Sequence, residues 1–129
     1  MKNEIQLSDL QTAVMRVIWS SGEATAAKVH QELLEARGLA FTTVATTLKR
    51  MENRGLIDHR TEGRQFIYRP LVSEKDVRVS MVSGLIDRLF KGDSAELVNH
   101  LITEKQINND DLEKVKALIA SAEKRESGK

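Results

Sequence analysis

Apolar residues recur three and four apart over most of this chain, and capping residues and glycines break the pattern into separate elements. Ser8-Asp9-Leu10-Gln11 has the form of a capping box, with Ser8 as N-cap and Gln11 three residues on. Leu10, Val14, Val17 and Ile18 follow at helical spacing, which predicts a first helix over about residues 8–19, stopped by Ser20-Ser21-Gly22. Thr25 is the next N-cap, and Ala26, Val29, Leu33 and Ala36 form the stripe of a second helix closed by Gly38. After the link Leu39-Ala40-Phe41, Val44, Leu48 and Met51 bury one face of a third helix. That helix begins near Thr42 and ends at Gly55, with Leu56 placed where a C-cap motif wants its apolar contact.

The period then shortens. Leu56–Thr61 and Arg64–Arg69 are strand-like runs joined by a Glu62-Gly63 turn, and Pro70 ends the second. Three helices followed by a two-stranded β-hairpin wing is the order of a winged helix-turn-helix domain, predicted over residues 1–72 of a mainly α protein. Past Ser73 the pattern is helical again. The stripe from Val77 to Phe90 predicts a helix of about 18 residues, about 27 Å long, with Leu97–Ile102 marking a shorter one and Leu112–Ala122 a last one. These helices carry more apolar stripe than one small arm can hide, so residues 73–129 are expected to form a three-helix dimerisation arm. Val77, Met81, Leu85, Leu89, Leu97, Leu101, Leu112, Val115, Leu118 and Ile119 would face a second copy. The tail Glu123–Lys129 is expected to fray.

Composition narrows the function classes. The chain has 129 residues, 40% hydrophobic and 30% charged, and no Cys, which excludes disulfides, thiol nucleophiles and all-Cys metal sites and suits a cytoplasmic address. The longest apolar run is Ala117–Ala120, against the ~20 residues of a membrane span. The opening MKNEIQLSDL is polar where a signal peptide needs an apolar stretch. His30, His59 and His100 are too far apart for a ligand motif, and His30–Leu33 (HQEL) lacks the second His of a zinc-protease helix. Ser20-Ser21-Gly22 has no surrounding pattern for a nucleophile elbow, and no Gly-rich phosphate loop exists. No catalytic, metal or cofactor residue is assigned, and the protein is not expected to be an enzyme.

Charge points elsewhere. Net charge is only +1, yet Lys49, Arg50, Arg54, Arg60, Arg64 and Arg69 fall within residues 49–69 against three acids, Glu52, Asp58 and Glu62. That stretch covers the end of the third helix and the hairpin, the elements a winged helix lays on DNA, and phosphate neutralisation needs only a local patch.

The segments TVATTLKRM (Thr43–Met51) and RGLIDHRTEGRQFIYRP (Arg54–Pro70) resemble the third helix and wing of the BlaI/MecI/CopY penicillinase-repressor family. LSDLQTAVMRVIW (Leu7–Trp19) resembles that family's first helix, and LIDRLFKGD (Leu85–Asp93) with the Leu97–Ile119 stretch continues the likeness through the arm. The resemblance implies a homodimeric winged-helix repressor on an inverted-repeat operator in double-stranded DNA. Members are released by copper through a Cys-rich tail, which a Cys-free chain lacks, or by proteolysis in the arm driven by a membrane sensor metalloprotease. The family's cleaved Asn-Phe bond matches His100-Leu101 here, and positions often basic on its recognition helix are Thr42 and Ala45.

A recognition helix reads bases from its N-terminal turns. With Val44, Leu48 and Met51 inward, Thr43, Ala45 and Thr46 are assigned to base edges. Thr42, Lys49 and Arg50 are assigned to phosphates, as are Arg60 and Arg64 in the wing. Against these stand blander readings: Thr42 as an N-cap, Lys49 and Arg50 as a solvated face, and Phe66 and Tyr68 as wing-to-helix packing. The rival function is a winged helix that serves as a protein-interaction module, a reading kept open by the near-neutral net charge and by Glu62 at the wing tip.

Overall fold

A computed structural model describes residues 4–127. Helix α1 (Asp9–Ser21) opens on a complete capping box: the Gln11 amide donates to Ser8 Oγ and the Ser8 amide to Gln11 Oε1, each at 3.1 Å. After strand β1 (Ala24–Thr25), Thr25 caps α2 (Ala26–Arg37), and Gly38 closes it with φ 62°, a left-handed position that costs a glycine nothing. Helix α3 (Phe41–Asn53) has Ala40 as its N-cap, with no side-chain hydrogen bond there, so Thr42 is not the cap. Its far end is a Schellman motif in which the Leu56 amide donates to the Met51 carbonyl and the Gly55 amide to that of Glu52.

Strands β2 (Ile57–Glu62) and β3 (Gln65–Pro70) pair antiparallel from Ile57↔Pro70 to Glu62↔Gln65. The two-residue loop is therefore Gly63-Arg64, one position later than expected. Gly63 takes φ 65°, so the residue that tolerates positive φ comes first, as in type II′ hairpins. The wing also has a third strand: β1 pairs with β3 through Ala24↔Tyr68 and Thr25↔Ile67, giving the order β1-β3-β2. With three helices in front, this is a winged-helix fold.

The core is where the helical stripes meet the sheet: Val14, Met15 and Ile18 of α1, Val29 and Leu33 of α2, Val44, Leu48 and Met51 of α3, with Ile57 and Tyr68. Ala36, expected on the buried stripe of α2, is exposed because that face stops at Leu33. Thr47 is buried despite its hydroxyl, which donates to the Thr43 carbonyl at 2.8 Å and so stays satisfied. Trp19 donates from Nε1 to the Val72 carbonyl at 2.9 Å, tying the end of α1 to the chain beyond the wing.

Contacts part the chain into two units between Gly84 and Leu85, inside α4 (Glu74–Phe90), rather than at Val72/Ser73. The reason is packing. Val77 is buried in the first unit's core, Met81 packs against it, and the Ile5 amide donates to Ser80 Oγ at 2.8 Å. Val77 and Met81, expected on a dimer face, are thus covered by their own chain.

The second unit holds the end of α4, then α5 (Ser94–Thr103), capped by Asp93, and α6 (Asn109–Ser127), whose first turn is bonded by Asn108. None of the residues of α5 or α6 is fully buried. Leu89 is 71% exposed, Leu118 67% and Ile119 53%; Leu85 is exposed too, while Leu97, Leu101, Leu112 and Val115 are half-buried. Helix α6 continues through Ser127 where fraying was expected, and the last residues of that tail, 128–129, lie outside the described residues.

Candidate nucleic-acid interface

Helix α3 turns its apolar stripe inward, which leaves Thr42, Thr43, Thr46, Lys49 and Arg50 exposed along one side and Ala45 half-buried. After Phe41, itself exposed at the helix start, the first turns of this side carry hydroxyls and methyls, and the cations come two turns later. This is the order a base-reading helix needs, short groups where it enters a groove and charge where it crosses the backbone.

The basic stretch divides into engaged and free cations. Arg69 holds Asp58 across the sheet with two bonds, at 2.6 and 3.0 Å. Arg54 donates to Gln11 Oε1 at 3.0 Å. Arg60, expected at a phosphate, is gripped by two carboxylates: Glu23 at 2.6 and 3.1 Å and Glu62 at 3.1 Å. The hydrogen bonds it donates to Glu23 and then to Glu62 push the Arg60 guanidinium pKa up, and accepting from Arg60 holds the Glu23 carboxyl below its ordinary value. The hydrogen bond from Arg69 does likewise for Asp58. The side chains of Lys49, Arg50 and Arg64 are exposed and make no hydrogen bond or ion pair among the described residues. Glu62 therefore does not oppose phosphate at the wing tip as a bare charge, because its carboxylate is turned onto Arg60.

The wing's other face is built on His59. Its Nδ1 lies 2.8 Å from the Glu52 carboxylate on α3, and its ring stacks on Phe66 with centroids 3.9 Å apart and planes at 13°. Tyr68 is buried next to it, and burial, then the Glu52 charge, raises the phenol's pKa. Tyr68 thus packs as expected, whereas Phe66 is 47% exposed. Glu23, Glu52 and His59 escaped the sequence reading as site residues; Glu23 lies 37 positions from Arg60, and no local spacing signals that pair.

His100 and Leu101 lie within α5, His100 exposed and Leu101 half-buried, with the His100 ring 5.7 Å from Phe90. Among the described residues no group of three or more His, Cys, Asp or Glu could hold a metal ion, and no helix is long and apolar enough to cross a membrane.

Residues 7–121 match the family model described as penicillinase repressor. The penicillinase repressor of Bacillus licheniformis is 26% identical over 119 residues, spanning 92% of this chain and 93% of that one. The methicillin resistance regulatory protein MecI of Mammaliicoccus sciuri is 25% identical over 114 residues, 88% and 93% of the two chains. The solution structure of the Bacillus licheniformis BlaI monomeric form in complex with the blaP half-operator superimposes with TM-score 0.51 and 36% identity, over 59% of this chain and 93% of that one.

Proposed function

This chain belongs to the penicillinase repressor family, whose members are DNA-binding transcriptional repressors and not enzymes, and from that premise we propose that it acts in the cytoplasm as a homodimer on an inverted-repeat operator. The observation that carries the reading is the placement of three uncommitted cations, Lys49, Arg50 and Arg64, around the exposed threonines of α3. Thr43, Ala45 and Thr46 meet base edges, and Thr42, Lys49, Arg50 and Arg64 meet phosphates. Arg60 braces the wing through Glu23 and Glu62 instead of touching DNA. The complex of a 36%-identical relative with a half-operator supports the same docking of this domain.

The exposed apolar residues of the second unit supply the dimer contact, with Leu85, Leu89, Leu118 and Ile119 at its centre and Leu97, Leu101, Leu112 and Val115 beside them. Joining two weak half-site binders makes the second contact intramolecular, worth roughly 10²–10⁴ in affinity. Severing α5 at His100-Leu101, the step for which a membrane sensor metalloprotease would be the partner, removes that gain and leaves α3 untouched.

Leu89→Asp and Leu118→Asp test the linkage, because both side chains are exposed in the single chain and neither supports its fold. Light scattering at micromolar concentration should find dimers of the wild type and monomers of the variants. The variants should keep half-site affinity while losing the operator's added affinity. A wild-type chain that is monomeric under these conditions yet binds DNA tightly would show the linkage to be wrong.

A further inference from the structure

A cavity of about 290 Å³ lies between the start of α3 and the wing, lined in part by Ala26, Phe41, Arg64, Gln65, Phe66 and Tyr68. Its two phenylalanines are each 47% exposed. A half-exposed aromatic ring usually swings between rotamers, but both of these are braced by a histidine that is itself held. Phe66 stacks flat on His59, and His59 is fixed by the Glu52 carboxylate at 2.8 Å. Phe41 meets the edge of His30 at 5.6 Å, and His30 Nε2 is bonded to the Leu39 carbonyl at 2.9 Å. The single cation on the lining, Arg64, has no partner among the described residues.

We propose that this cavity seats one sugar–phosphate unit of the duplex backbone, with Phe41 and Phe66 packed on the deoxyribose and Arg64 on its phosphate. The inference rests on the DNA-binding reading above and adds to it a contact that carries no charge and reads no base. Two arguments choose this occupant. Phe41 directly precedes Thr42 and Arg64 is the wing tip, so the cavity is continuous with both proposed DNA contacts. Its chemistry is also that of a deoxyribose phosphate, apolar walls for the sugar and one free guanidinium for the anion. Rings already fixed lose little side-chain entropy on contact, which is what makes such a seat contribute affinity.

The test uses the full chain and a fluorescein-labelled mixed-sequence duplex of about 30 base pairs, enough for two half-sites, with anisotropy read across a salt series. Phe66→Ala and Phe41→Ala should each weaken binding roughly tenfold per site, the return on burying half a phenyl ring, with the slope of log affinity against log salt unchanged. Phe66→Leu should recover most of the loss. Arg64→Ala should instead flatten the slope by about one per site. Thermal melting of each variant near the wild-type value separates a lost contact from a damaged wing. Wild-type affinity in both phenylalanine variants overturns the seat, and if the same variants dissociate the dimer in light scattering, a second copy of the chain occupies the cavity instead. Failure of the wild type to bind any duplex refutes the DNA-binding reading itself, a different result from either.

Discussion

The division of the basic stretch into engaged and free cations makes a quantitative prediction about salt. Each phosphate neutralised on B-DNA contributes about 0.9 to the slope of log affinity against log salt. The side chains of Lys49, Arg50 and Arg64 are free, so a dimer that binds as proposed should neutralise about six phosphates, for a slope of about −5.4. Raising salt from about 50 to about 200 mM then costs the wild type roughly 10³ in affinity, or about 3.5-fold per phosphate. Arg64→Ala removes two contacts per dimer and should bring the slope to about −3.6. Arg60→Ala should leave it near −5.4, because that guanidinium is held by Glu23 at 2.6 Å and by Glu62 at 3.1 Å. The double change Glu23→Gln with Glu62→Gln frees Arg60 and should steepen the slope toward about −7.2 while raising affinity at low salt. Fluorescence anisotropy with one labelled duplex and this set of proteins is the assay. Equal flattening in the Arg60 and Arg64 variants would show that Arg60 leaves its carboxylates for phosphate, and the division would fail.

Three further outcomes follow. Leu48 is fully buried under α3, so Leu48→Ala should cost about 2–5 kcal/mol in urea unfolding, a large share of a small domain's stability; a cost below about 1 kcal/mol would show that the α3 core can collapse around the gap. The Glu23 carboxyl sits below its ordinary 4.5, so its pairing with Arg60 stabilises the fold above that value and the benefit is lost as pH falls through the depressed pKa; Glu23→Gln should therefore lose less stability than wild type on acidification, and identical pH profiles would remove the pair from the account. Thr46→Val keeps shape but loses the hydroxyl, and should relax preference at one base position; an equal loss on every DNA sequence would take Thr46 out of the base-reading set.

Features set by neighbouring residues are legible in the sequence. The Ser8 capping box, the Gly38 and Gly55 helix ends and the inward stripe of Val44, Leu48 and Met51 are all local, and all are where spacing put them. Features that distant residues decide are not legible there. Strand β1 is two residues with no alternation to read, and it exists because β3 offers it partners some forty positions later. The hairpin loop moved by one position because the pairing places Gly63, the residue suited to positive φ, first of the two. Arg60 looked like Arg64 in sequence, and only folding brings Glu23 to it. Likewise the first turns of α4 carry the stripe of a free amphipathic helix, yet Val77 is consumed by the chain's own core.

Selection from random duplex DNA puts sequence-specific binding by a dimer to the test. Purified protein is mixed with the pool at moderate salt, and the retained molecules are sequenced. An inverted repeat should be enriched, with half-sites centred about one helical turn, roughly 10 base pairs, or a multiple of it apart. Retention without a shared motif would contradict the base-reading role of Thr43, Ala45 and Thr46. Retention of nothing would contradict the claim itself and turn the exposed face of α3 and the wing into a surface for another protein.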